Sequence, residues 1–205
     1  MKKNNLWIYL ILDGSGSMSN VQSDVIGAVN QLIEDQKELD SGDTYFTFTV
    51  FDTKVKKFYD AAPITEVDPV DRSATLLGGG TALLDAVGKT LTDARGEKRS
   101  GKNLVFIYTD GYENSSSEWT NQGIKTLIKD LEDEGNWTFT FMSADVDNFD
   151  AAQKIGISAG NYMTTNSSTT YGAVRNLSRA AHSHKFSEAG ATTSLLKDYN
   201  ITPES

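Results

Sequence analysis

Residues 12–19 read Leu-Asp-Gly-Ser-Gly-Ser-Met-Ser directly after an apolar run, which sets Asp13, Ser15 and Ser17 at alternate positions of one short turn. One carboxylate and two hydroxyls in that spacing make an oxygen-only cradle for a hard divalent cation. Such a cation takes about six oxygens, so these three cannot saturate it and the rest must come from elsewhere in the fold or from a partner. Two further segments have the chemistry to complete the set. Gly78-Gly79-Gly80-Thr81 is a glycine-rich loop entering a helix, where the backbone can approach closely and the threonine hydroxyl can point out of the turn. Thr109-Asp110-Gly111 ends a second apolar run. Taken alone, Asp13, Ser15 and Ser17 also read as a turn that caps the following helix. With Thr81 and Asp110 in register, the cradle is the better reading.

The elements that must position these groups follow from periodicity. Leu6 to Leu12 and Leu104 to Tyr108 are near-continuous apolar runs, the pattern of strands covered on both faces. Tyr45 to Phe51 alternates, Trp137 to Met142 is a further β-rich run, and the shorter, more basic Val55 to Tyr59 reads as an edge strand. Between them, Val21, Val25, Val29, Leu32 and Ile33 recur at helical spacing, as do Ile124, Leu127, Ile128 and Leu131. Ala82 to Ala94, Phe149 to Ile155 and Tyr171 to His182 supply three more helices. The alternation predicts an α/β fold: a doubly wound, mostly parallel central sheet with helices on both faces and one antiparallel edge strand. In such a sheet ligands sit at the carboxyl ends of the strands, which puts Asp13 and Asp110 on one edge. Residues 1–186 are expected to form a single domain, and residues 187–205, small and polar, a weakly structured tail.

Composition narrows the function classes. The 205 residues are 38% apolar, enough for one sizeable core. With 28 acidic against 19 basic side chains and a formal charge of −9, the mean field repels phosphate backbones, so no nucleic-acid partner is expected. The absence of cysteine excludes disulfides, thiolate metal sites and thiol catalysis. Lys2 and Lys3 precede the apolar stretch as in a signal peptide, but Leu6 to Leu12 runs straight into the polar turn without a cleavage site. No stretch approaches the roughly 18 apolar residues of a membrane span. The expectation is a cytoplasmic protein with no membrane partner.

The ordered set Asp13, Ser15, Ser17, Thr81 and Asp110, each after the appropriate element, resembles the von Willebrand factor type A (vWA) family and its metal-ion-dependent adhesion site, MIDAS. Gly-Gly-Thr-Ala-Leu-Leu-Asp at residues 79–85 and the apolar strand ending in Thr-Asp-Gly make the resemblance specific, and it spans roughly Leu6 to Lys185. It implies Ser15, Ser17 and Thr81 as direct ligands, with Asp13 and Asp110 direct or water-mediated according to state. It also implies that an Asp or Glu of a partner protein completes the coordination, and that a shift between Thr81 and Asp110 can couple to nearby helices. Mg²⁺ is the expected occupant, with Mn²⁺ or Ca²⁺ as substitutes. Thr-Asp-Gly-Tyr-Glu-Asn-Ser-Ser and the stretch Phe141 to Ile157 look most like stand-alone intracellular domains of bacteria and their phages. By that resemblance the chain is a non-enzymatic adaptor, with an AAA-type ATPase or its client as first partner. The alternatives are a structural component of a phage or cell-surface assembly and, behind it, a Mg²⁺-dependent hydrolase.

Other motifs carry less. Gly96 to Asn103 approaches a phosphate-binding loop, but Asn103 stands where the hydroxyl should be and the segment joins a helix to a strand, the reverse of the required order. An exposed connection is the expectation there. A haloacid dehalogenase-type phosphatase would need its second acid where Ser15 stands, and serine hydrolase chemistry would need a placed histidine. His182 and His184, separated by one residue, share no helical face and are expected at the surface. Asp85 is sufficiently explained by the dipole of the helix it begins, and Glu113 and Asn114 by exposed loop polarity at the rim of the metal face.

Overall fold

A computed structural model describes residues 5–39, 43–75, 78–144, 148–166, 169–185 and Leu196. Six strands form one sheet: β1 (Leu6–Asp13), β2 (Thr44–Phe51), β3 (Val55–Pro63), β4 (Lys102–Tyr108), β5 (Trp137–Ser143) and β6 (Tyr162–Thr164). Their order is β3-β2-β1-β4-β5-β6, with every pairing parallel except β2 with β3. The expected edge strand is therefore present and antiparallel, and it runs four residues past Tyr59 to Pro63. β6 has three residues, too few for a sequence period to reveal it.

The two near-continuous apolar runs are the central pair. β1 lies between β2 and β4, with Leu12 opposite Tyr108 on one side and Asp13 opposite Phe51 on the other. Alternate residues of β1 feed two cores. Ile8, Leu10 and Leu12 pack with α1 (Gln22–Leu39) and α6 (Thr170–Lys185), while Tyr9 and Ile11 pack with α3 (Leu83–Gly96), α4 (Asn121–Asp133) and α5 (Phe149–Lys154). The short α2 (Arg72–Thr75) lies beside α1. Helices thus cover both faces, and the chain crosses from one half of the sheet to the other between β1 and β4, the topological switch point where such folds bind ligands.

The expectation of a tail over 187–205 falls outside the described residues, apart from Leu196, which is buried in the core cluster of α1 and α6. Among the described residues no helix is long and apolar enough to cross a membrane. The Gly96–Asn103 segment joins a helix to a strand, as expected, but it is exposed only in part: Lys102 and Asn103 are buried in β4, and the Arg99 guanidinium lies 4.8 Å from the Trp7 ring and donates to the Tyr9 hydroxyl at 3.2 Å. His184 corrects the surface expectation. α6 continues beyond His182, and His184 and Lys185 of its last turn are buried at the amino-terminal ends of the strands, with His184 Nε2 3.4 Å from Thr138 Oγ1 and Lys185 paired with Asp43.

Candidate metal centre

All five side chains singled out from the sequence meet at the carboxyl end of β1 and β4. Asp13, the last residue of β1, is fully buried. Its Oδ1 accepts from the backbone amide of Ser15 at 2.7 Å, the side-chain-to-backbone turn that a short acidic residue favours, and its Oδ2 accepts from Thr109 Oγ1 at 2.5 Å. Burial pushes the Asp13 carboxyl above its ordinary pKa. The hydrogen bonds from Thr109 and Ser15 pull the other way, and the charge of Asp110 adds to the rise. From Ser15 the hydroxyls continue outward: Ser15 Oγ lies 3.0 Å from Ser17 Oγ, which donates to Asp110 Oδ1 at 2.7 Å.

Thr81 enters from the glycine-rich loop, and a short chain of backbone hydrogen bonds joins the ends of β1 and β2 and ties that loop to both. Gly14 N donates to Phe51 O at 2.7 Å, Gly78 N to Gly14 O at 3.0 Å, and Ala82 N to Asp52 O at 2.7 Å. Gly78 and Gly79 both have positive φ, +80° and +87°, so the turn that delivers Thr81 needs glycine at both positions. The Thr81 amide donates to Asn114 Oδ1 at 2.8 Å, and its carbonyl accepts from Asn114 N and Ser115 N.

What the groups surround is defined by Gly111. A Cβ at that position would lie 3.0 Å from Thr81 Oγ1, 3.5 Å from Ser17 Oγ and 3.6 Å from Asp13 Oδ2. Oxygens from two separate segments, the turn after β1 and the glycine-rich loop, therefore face one small space, which is clear because residue 111 has no side chain. The donor set is two carboxylates and three hydroxyls, all hard oxygens, and it fits a Mg²⁺-class cation and excludes a soft-metal site. Among the described residues there is no group of three or more His, Cys, Asp or Glu that could hold a metal, so a centre here would draw on the hydroxyls beside its two carboxylates.

Thr109 enters the site beyond what the sequence reading assigned. It was legible as part of Thr-Asp-Gly, but its bond to Asp13 depends on β1 and β4 being neighbours. Glu113 and Asp85 correct the expectations for them, while Asn114 is exposed as expected and also accepts from the Thr81 amide. All three are engaged between the loop after β4 and the start of α3, where Asp85 is buried and accepts three backbone amides.

A sheet of this order, with an Asp-x-Ser-x-Ser turn at its switch point and a threonine and a second aspartate beside it, defines a class. The chain belongs to the von Willebrand factor type A domain family, whose model matches residues 8–180. Among solved structures it is similar to the pilus adhesin SpaC from Lactobacillus rhamnosus GG in its open conformation, at 14% identity and TM-score 0.70, over 89% of this chain and 30% of that one. It is also similar to the vWF domain of the type V pili tip protein Mfa5 from Porphyromonas gingivalis, at 10% identity and TM-score 0.64, over 90% of this chain and 97% of that one. A third is manganese-loaded TRAP protein from Plasmodium vivax, at 17% identity and TM-score 0.60, over 82% and 71%. At such identities the likeness is one of fold. The chain spans under a third of the SpaC adhesin. No curated protein matches it in sequence.

Proposed function

We propose that the chain is a non-enzymatic protein-interaction module in which Asp13, Ser15, Ser17, Thr81 and Asp110 hold a divalent cation, Mg²⁺ first and Mn²⁺ or Ca²⁺ as substitutes, for an Asp or Glu of a partner protein. The observation that carries this reading is the convergence of Thr81 Oγ1, Ser17 Oγ and Asp13 Oδ2 on the space beside Gly111. When bound, the cation supplies a positive charge with a coordination position for an acidic side chain to fill. The chain's own residues do the rest. Asp13 is fixed by Thr109 and Ser15, Ser17 is aimed by Asp110, and Thr81 is held by Asn114, so these five side chains would hold the cation, and an acidic side chain of the partner would complete its shell. The cleft has no histidine or lysine among these groups to serve as a base, which is why a hydrolase is the weaker reading.

Two settings suit such a module. One is an adaptor in the cytoplasm to an AAA-type ATPase or its client, of the stand-alone bacterial or phage type, which rests on sequence resemblance. The other is a component of a cell-surface or phage assembly. The second has the support of the neighbours, since SpaC and Mfa5 are named as pilus proteins and a third, PilB of Streptococcus sanguinis, as a minor pilin with TM-score 0.68. In either setting we take residues 1–186 as one domain.

Calorimetric titration of Mg²⁺ and Mn²⁺ into the protein and into Asp13→Ala tests the reading. Saturable binding is expected, weakened about 100-fold or more in the variant, because removing one carboxylate also releases Thr109 and Ser15. No binding by the parent protein up to millimolar metal would reject the metal centre.

A further inference from the structure

α3 begins without a cap of its own. Its N-cap position is Ala82, which makes no side-chain capping bond, although the first amides of a helix lack intrahelical partners and Ser, Thr, Asp or Asn usually supply one. A distant segment supplies them instead. Glu113 Oε2 accepts from Leu84 N at 3.0 Å, and Ser116 Oγ accepts from Asp85 N at 3.1 Å while donating to the same Glu113 oxygen at 2.7 Å. The other Glu113 oxygen accepts from Ser115 N at 2.9 Å and Ser116 N at 2.7 Å.

The helix returns the contact. Asp85 accepts from the backbone amides of Ser117, Glu118 and Trp119 at 2.9, 3.0 and 2.9 Å. Burial pushes its carboxyl up, but these amide bonds outweigh that and hold its pKa below the ordinary carboxylate value. One helical turn further on, the Trp119 indole packs on Gly88 so closely that a Cβ there would come within 2.3 Å of the ring. Loop 112–119 and the first two turns of α3 therefore cap each other. Thr81 lies two residues before this helix and Asp110 three residues before Glu113, with Asn114 bridging the Thr81 backbone to the loop.

We infer that this reciprocal cap sets the cation affinity of the centre by joining its Thr81 and Asp110 halves into one body before binding. The inference rests on the metal-binding reading given above. Glu113 and Asp85 are then positioning residues: they touch none of the five ligand side chains and act through the backbone that carries two of them. Without the cap, the order it maintains has to be created on binding, and affinity falls by that cost. Four donors converge on the Glu113 carboxylate, an acceptor-only group. Glu113→Gln keeps its size but turns an amide NH₂ toward at least one donor, which opens the cap with little steric change. Coupling is reciprocal, so a cation at the cradle must in turn tighten the distant half of the cap, at residues 117–119.

Mn²⁺ alone is the probe. Its affinity for the parent chain, Glu113→Gln and Asp85→Asn is measured by calorimetry, and amide hydrogen exchange at residues 84–85 and 117–119 is followed with and without the ion. About ten-fold weaker binding is expected in each variant. In the parent, Mn²⁺ is expected to slow exchange at 117–119, and in Asp85→Asn that slowing is lost; a purely structural role in stability would not make this protection ion-dependent. If Glu113→Gln does not fold, Asp85→Asn, which removes only the outer tie, carries both readings. Unchanged affinity in the variants, with the parent still binding Mn²⁺, overturns the coupling and leaves the metal centre standing. Failure of the parent to bind Mn²⁺ overturns the underlying reading and this inference with it.

Discussion

Gly111→Ala is expected to abolish divalent-cation binding, by about 100-fold or more in affinity, while the fold survives almost unchanged, because a single misplaced atom in a preformed ligand set is costly. The added methyl would stand 3.0 Å from Thr81 Oγ1, 3.5 Å from Ser17 Oγ and 3.6 Å from Asp13 Oδ2, in the space the cation needs. Those separations are tight to ordinary for a carbon, and Gly111 is not among the glycines with positive φ, so the backbone admits alanine. The pairing of outcomes is what makes the variant informative. A Tm within a few degrees of the parent, together with flat Mn²⁺ calorimetry, would place the ion beside residue 111. Undiminished Mn²⁺ binding in a folded Gly111→Ala protein would move it elsewhere. Asp13→Ala cannot separate these so cleanly, since it disturbs two hydrogen bonds of the strand end as well.

Gly101→Ala is expected to act in the opposite sense, on stability and not on the centre. Gly101 adopts φ +116°, and a Cβ there would lie 2.2 Å from the carbonyl oxygen and 2.9 Å from the carbonyl carbon of Asn5, which are backbone atoms with nowhere to go. That carbonyl accepts from Lys102 N at 2.9 Å, the bond that starts the β1–β4 pairing. Overpacking at about 1–3 kcal/mol and left-handed strain of similar size together suggest a loss near 4 kcal/mol, or roughly 10 °C in Tm for a domain of this length. Thermal unfolding followed by circular dichroism measures it. A shift under about 2 °C would mean that the strand ends part more readily than this packing implies.

The contrast between these two glycines marks how far the sequence could be read. The five oxygen residues were legible because each signal is local. Asp13 and Asp110 each end an apolar run, and Thr81 ends a glycine run that opens a helix; the family resemblance then joined them. What Gly111 and Gly101 do is invisible locally, since each is defined by an atom from another segment. The same holds for Asp85 and Glu113. A carboxylate at a helix start has a sufficient local explanation in the helix dipole, and nothing within a few residues of Asp85 shows that its charge is spent on amides more than thirty positions later. His184 failed for a related reason. His-Ser-His-Lys after Arg-Ala-Ala has the composition of a frayed, solvated helix end, whereas His184 and Lys185 are buried against Thr138 and Asp43.

The adjacency of β1 and β4 has a bearing on how the molecule is made. The hydrogen bond between Ser17 and Asp110 joins residues 93 apart in the chain, and the one between Thr109 and Asp13 residues 96 apart. Contacts of such span are the slow ones to form, because the intervening chain must first give up its freedom. A nascent chain that has not yet reached β4 holds the first aspartate and the hydroxyls but not the second aspartate. On the metal-binding reading, a firmly held ion certifies that β1 and β4 have paired, and an assembly that docks through that ion admits chains in which the centre of the sheet has formed and passes over those in which it has not.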